Sequence, residues 1–191
     1  MVKRIAVLWI PQQWPGAEHA VLVDHGDQQW TACGVALAVL PTGPVRVDYE
    51  LRVWPAGCQL TAALSSDRLR RRVELARDAD CHWEDSAGTA KPKLDGCTDH
   101  DLAITPLTNT LPLRRLPAEP GRAAEIQVAY INVPSLRVSR ATQMYTCIER
   151  RSTGTEWLYS AGRFRAELQV DGDGVVERYS DLWERVRPVR R

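Results

Sequence analysis

The sequence predicts an α+β domain, mainly β, in which a large antiparallel sheet wraps around a single principal helix. Three observations carry this expectation. Apolar and charged residues alternate with a period of two over several segments, turn-forming residues separate those segments at hairpin spacing, and one stretch, Thr105–Leu116, has the composition of a helix.

The clearest strand is VRVDYELRVW. Val45, Val47, Tyr49, Leu51 and Val53 share one face, and Arg46, Asp48, Glu50 and Arg52 share the other, as in a half-buried antiparallel strand. LRRRVELARD repeats the pattern, with Leu69, Val73 and Leu75 in phase, and FRAELQV does so through Phe164, Ala166, Leu168 and Val170. Turns are expected at HGDQ (His25), PTGP (Pro41), PAG (Pro55), TGTE (Thr153) and DGDG (Asp171). Strands joined by short turns predict a meander and not βαβ units.

The helix begins at Thr105-Pro106, where a threonine hydroxyl can cap free amides and proline suits the first turn. Leu107, Leu111 and Leu116 give it an apolar surface, and Pro112, which lacks an amide proton, is expected to bend it. A second helical turn is expected at Ser180–Arg187, where Ser180 precedes an acidic pair. No linker or repeat divides the chain, so residues 1–191 read as a single domain.

Lysine and arginine total 25 against 24 acids, a formal charge of +1. That balance argues against a nucleic-acid binder and against a polybasic membrane-surface protein. The apolar run after Lys3 and Arg4 ends at Pro11, too short for a signal peptide, and no stretch is long enough to span a bilayer. Cys33, Cys58, Cys81, Cys97 and Cys147 are odd in number and lack a C-x-x-C pair, as expected of reduced thiols in a cytoplasmic protein.

Chemistry concentrates at Leu94–Leu116. If Thr98–Leu102 is extended, Asp99 and Asp101 share a face about 6–7 Å apart, and His100 faces the other way. Paired carboxylates can grip vicinal sugar hydroxyls, hold a cation or raise one another's pKa. Arg114 and Arg115 follow closely, and an ion pair with them is the equally weighted structural alternative. Cys97-x-x-His100, with Cys81-His82, is the nearest approach to a metal site but lacks a second half. DGDG imitates part of a calcium loop without its later ligands. No metal or cofactor is expected. No serine elbow, phosphate-binding glycine loop or metalloprotease motif is present. Trp9, Trp14 and Trp54 could floor a sugar or lipid site, although core packing is the commoner use.

GCTDHDLAITPLTNTLPLRRL, QVAYINVPSLRV, QMYTCIERR, the Trp157–Tyr159 strand and LQVDGDGVVERY together resemble a family described as glycolipid-binding. The likeness runs from Gly16-Ala17-Glu18 to Trp183-Glu184-Arg185. It implies a sheet wrapped around one helix, a tight homodimer, a remote similarity to lipoprotein carriers, and an acidic pocket for glycolipid. By motif, that pocket would contain Glu18, Asp99 and Asp101, with Asn109 on the helix. The sequence departs from the family at Val53–Cys58, where VWPAGC replaces a pattern containing an aspartate. The expected function is noncatalytic binding of a sugar-bearing or amphiphilic ligand by a homodimer. The alternative is a glycoside hydrolase using two carboxylates, since the expected spacing overlaps that of such enzymes.

Overall fold

The computed structural model describes residues 2–187. In chain order the strands are β1 (Lys3–Pro11), β2 (Gly16–Gly26), β3 (Gln29–Leu40), β4 (Gly43–Trp54), β5 (Gly57–Ser65), β6 (Arg70–Arg77) and β7 (Trp83–Asp85), then β8 (Asp99–Leu102), β9 (Ala123–Ile131), β10 (Val138–Arg151), β11 (Gly154–Ala161), β12 (Phe164–Asp171), β13 (Val176–Tyr179) and β14 (Trp183–Arg185). All belong to one 14-stranded sheet. Its order is β7-β6-β5-β4-β3-β2-β1-β14-β13-β12-β11-β10-β9-β8. The first and last strands of the chain meet in the middle, where Trp9 is paired with Arg185.

The sheet must curl. Laid flat, its edge strands β7 and β8 would lie roughly 60 Å apart at the usual strand spacing. The chain crosses between them through residues 86–98, which span at most about 50 Å fully extended, and these residues are not extended, since they include a 3-10 turn at Pro92–Leu94. Contacts across the seam agree. His100 of β8 meets Leu75 O on β6 at 3.0 Å, Trp83 of β7 donates to Cys97 O at 3.0 Å, and Arg71 donates to Ser135 O at 2.8 Å. The buried residues of both halves form one cluster on the inner face.

The alternating segments fold as read. In β4, Val45, Val47, Tyr49 and Leu51 are buried, while Arg46, Glu50 and Arg52 are exposed. Each turn motif caps a hairpin. The strand opposite Tyr49 is different: after Trp30 at its start, β3 turns Ala32, Gly34, Ala36 and Ala38 inward, small residues that leave room inside the curl.

That room takes the helical segment. A 3-10 turn at Leu107–Asn109 leads into α1 (Thr110–Arg115), with Leu107, Leu111 and Leu113 buried. Thr105 starts it as expected, its hydroxyl accepting the amide of Leu107 at 2.9 Å. Pro112 is not the site of the change in winding, which comes at Asn109–Thr110. Pro112 lies in the first turn of α1, where a missing amide leaves no intrahelical bond unmade.

Two expectations are corrected. β8 and β9 run parallel with α1 between them, so one βαβ unit stands at the sheet's edge. All other neighbouring strands are antiparallel. Ser180–Arg187 is not helical. Ser180–Leu182 is a turn, with Asp181 at φ 61°, and β14 follows. The physical reason is Trp183, which is buried and stacks edge-on against Trp14 at 5.4 Å, while its strand closes the join between β1 and β13.

Candidate functional site

Glu18 lies on the inward parity of β2 with Ala20 and Leu22, and it is fully buried. Two hydroxyls donate to one of its oxygens, Oε1: that of Tyr49 and that of Thr105, the latter at 2.5 Å. Tyr49 reaches it from β4 across Gly34, its register partner on β3. A Cβ at position 34 would stand 2.3 Å from the Tyr49 ring and hydroxyl, so only glycine permits this crossing. No cation pairs with Glu18 among the described residues. Burial therefore dominates the two hydrogen bonds and raises its pKa to about 8. At neutral pH the group is mostly an uncharged acid. Both hydroxyls lie on Oε1. Oε2 is buried without a hydrogen-bond partner among the described residues.

Three residues after Thr105, Thr108 connects the same segment to a second carboxyl group. Asp101 accepts Gln143 Nε2 at 2.6 Å and the Thr108 hydroxyl at 3.4 Å. The Tyr145 hydroxyl donates to Asn109 Oδ1 at 2.8 Å and lies 3.2 Å from Gln143 Oε1, closing the network. Asp101 keeps some accessible surface, but the protein around its carboxyl group raises the pKa to about 6, with Gln143 and Thr108 opposing. The space between Asp101, Asn109, Gln143 and Tyr145 does not admit a water-sized sphere.

Asp99 differs. It is buried, but Arg115 Nη2 lies 2.5 Å from its Oδ2, and the Thr98 hydroxyl donates to it at 2.7 Å. Arg114 turns elsewhere, to Asp24 at 2.8 Å and over the ring of Trp30. Asp99 is thus the acid that Arg115 pairs with, and Asp101 has neither arginine. Of the sequence candidates, the fold brings Asp101 and Asn109 into one network and ties it to Glu18 through Thr105–Thr108. It sets Asp99 beside Arg115 at the far end of α1, on the wall of the same small void as Asp101 and Asn109.

His100 faces away from both aspartates, as strand geometry requires, and its ring nitrogens meet Leu75 O and Cys58 Sγ. Burial lowers its pKa to about 4, so it is neutral. His82 is exposed beside Asp78 at 3.2 Å. Asp171 of DGDG accepts the amides of Asp173 and Val175 within its own hairpin and pairs with Arg185. Trp9 is core and donates to Val176 O, Trp14 packs on Trp183, and Trp54 sits at a hairpin tip, so the three do not share a floor.

Tyr49, Gln143 and Tyr145 were not among the sequence candidates. One signal for Tyr49 was present: Gly34 interrupts TACGVAL mid-strand, and a glycine in a strand interior marks close approach by another group. Nothing in sequence spacing links Gln143 and Tyr145 to residues some forty positions earlier.

A model of the family described as "Putative glycolipid-binding" matches residues 6–185. The chain belongs to this family. A solved structure of a DUF1089 family protein from Pseudomonas aeruginosa is 33% identical, with a TM-score of 0.75 over 88% of this chain and 92% of that one. No curated protein matches significantly. No helix among the described residues is long and apolar enough to cross a membrane.

Proposed function

We propose that the protein is a noncatalytic binder of a sugar-bearing amphiphile, whose hydroxyls are taken by Glu18, Asp101 and Asn109, with Asp99 and Arg115 at the rim. The observation that carries this is the Glu18 carboxyl, a buried acid whose Oε2 has no hydrogen-bond partner among the described residues. Buried polar groups are nearly always satisfied, and a ligand hydroxyl would supply the missing partner. Family membership supports the ligand class. With its pKa near 8, Glu18 offers a ligand hydroxyl a mostly uncharged carboxyl group.

The closed space around Asp101 implies that ligand enters by displacing the Thr105–Asn109 segment. α1 is six residues long, too short to be stable alone, and side-chain bonds at both ends hold it. Native mass spectrometry with octyl glucoside, octanol and glucose tests the reading. Octyl glucoside should bind best, and Glu18→Leu should abolish its advantage over octanol while the protein stays folded. Equal binding of octyl glucoside and octanol by the parent protein would contradict the reading. So would turnover of a glycoside panel, which would make the protein an enzyme.

We also propose a homodimer. Support comes from the outer face, where Leu8 and Ile10 of β1 and Leu37 and Val39 of β3 are exposed on the two strands that flank β2. Sedimentation at micromolar concentration should give a dimer that Leu37→Glu dissociates, and a monomeric parent protein would refute it.

A further inference from the structure

The seam of the curled sheet does not close along its whole length. β7 covers β6 only at Leu75–Arg77, and beyond that a cleft of about 840 Å³ opens between β6, the first residues of β10 and the crossing segment 85–94. This is ample for a small-molecule ligand. Its walls are mostly apolar, from Val73, Leu75, Leu94 and Val138. Four cations also line it, Arg72, Lys91, Lys93 and Arg140, against two acids, Glu74 and Asp85. Both acids are already engaged: Glu74 by Arg72 at 3.2 Å and Gln59 at 2.9 Å, Asp85 by Lys91 at 2.5 Å and by the amides of Ala87 and Thr89. Lys93 and Arg140 remain. Neither has a carboxylate within salt-bridge distance among the described residues, and Arg140 meets neutral groups, the backbone oxygen of Asp95 and the thiol of Cys97.

We propose that this cleft is a second binding site, separate from the Glu18 network, for an amphiphile with an anionic head. Lys93 and Arg140 hold the head, a phosphate or carboxylate, at the mouth. A hydrocarbon chain lies along Val73, Leu75, Leu94 and Val138. An apolar cavity with two uncompensated cations at its rim favours a ligand that carries both features over a free anion or a neutral chain. This does not depend on the sugar-binding reading, because Glu18, Asp101 and Asn109 do not line the cleft.

The test is titration calorimetry of the full chain with dodecyl phosphate, dodecanoate, dodecanol and inorganic phosphate. Dodecyl phosphate or dodecanoate, or both, should bind at least tenfold more tightly than dodecanol and than inorganic phosphate. Whichever binds names the head. Lys93→Ala/Arg140→Ala together should lose at least tenfold in that affinity. Both side chains are exposed, so melting should be unchanged, and Glu18→Leu should leave the affinity intact. Inorganic phosphate binding as tightly as dodecyl phosphate would overturn the proposal, as would dodecanol matching the anions. Binding lost in Glu18→Leu but kept in the double variant would place the amphiphile at the other site.

Discussion

Glu18 and Asp99 are both buried carboxyl groups beside the same short helical segment, and the protein treats them in opposite ways. Asp99 stands next to Arg115 and keeps a counter-charge. Glu18 has only two hydroxyls, and burial leaves it uncharged at neutral pH. The difference teaches that burial alone does not define a charged acidic site. What decides is whether a cation stands beside the acid.

The largest expected effect is the pH dependence that Glu18 imposes. Its folded pKa is near 8 against 4.5 for the free side chain, so the folded state holds the proton more tightly. The associated stability is fully present below pH 4.5 and is lost as pH rises through 8, up to roughly 4–5 kcal/mol across that window. His100 runs the other way between about pH 4 and 6.5, because its folded pKa is lowered. The Glu18 contribution is therefore read most cleanly above pH 6.5. Denaturant unfolding from pH 6.5 to 9 should show stability falling in the parent protein and nearly flat in Glu18→Gln. Parallel curves would break the contrast.

Next in size is Gly34→Ala. The new methyl would collide with the Tyr49 ring and push its hydroxyl off Glu18, adding overpacking to a disturbed buried hydrogen bond. A loss of about 3 kcal/mol in urea unfolding is expected. A variant as stable as its parent would mean that Tyr49 does not cross there.

Asp99→Asn and Asp101→Asn sharpen the comparison within one strand. The first strands Arg115, but that side chain is 47% exposed and water takes over part of the role, so a loss of about 1 kcal/mol is expected at pH 7. The second leaves no cation unpaired, and the amide oxygen can still accept from Gln143. Since Asp101 has a raised pKa, its charge is unfavourable above pH 6, and the substitution should be neutral or slightly stabilising at pH 7. Thermal melting of the two variants side by side decides the matter, and the reverse order would contradict the assignment.

The sheet was legible from sequence because one-sided burial forces a period of two, and hairpins need glycine, proline or asparagine-like residues at their tips. β14 was misread because three residues carry too little periodicity. Trp183 fixes its conformation through contacts with strands distant in sequence. The parallel β8–β9 pair was invisible for a similar reason, since β8 has only four residues and α1 lies between it and β9. Among the site residues, Asp99, Asp101 and Asn109 lay in one dense motif, and family likeness pointed to Glu18. Which acid took the arginine could not be read from sequence: Arg114 and Arg115 are adjacent, and the helical turn alone sends one to Asp24 and the other to Asp99.

The claim on which the account rests is that Glu18 is an uncharged acid at neutral pH. Carbon-13 NMR of glutamate labelled at the side-chain carboxyl, followed from pH 4 to 9 and assigned with Glu18→Gln, measures it directly. The account predicts one resonance, absent from the variant, that titrates near pH 8. A Glu18 resonance that titrates near 4.5 with the other glutamates would contradict it.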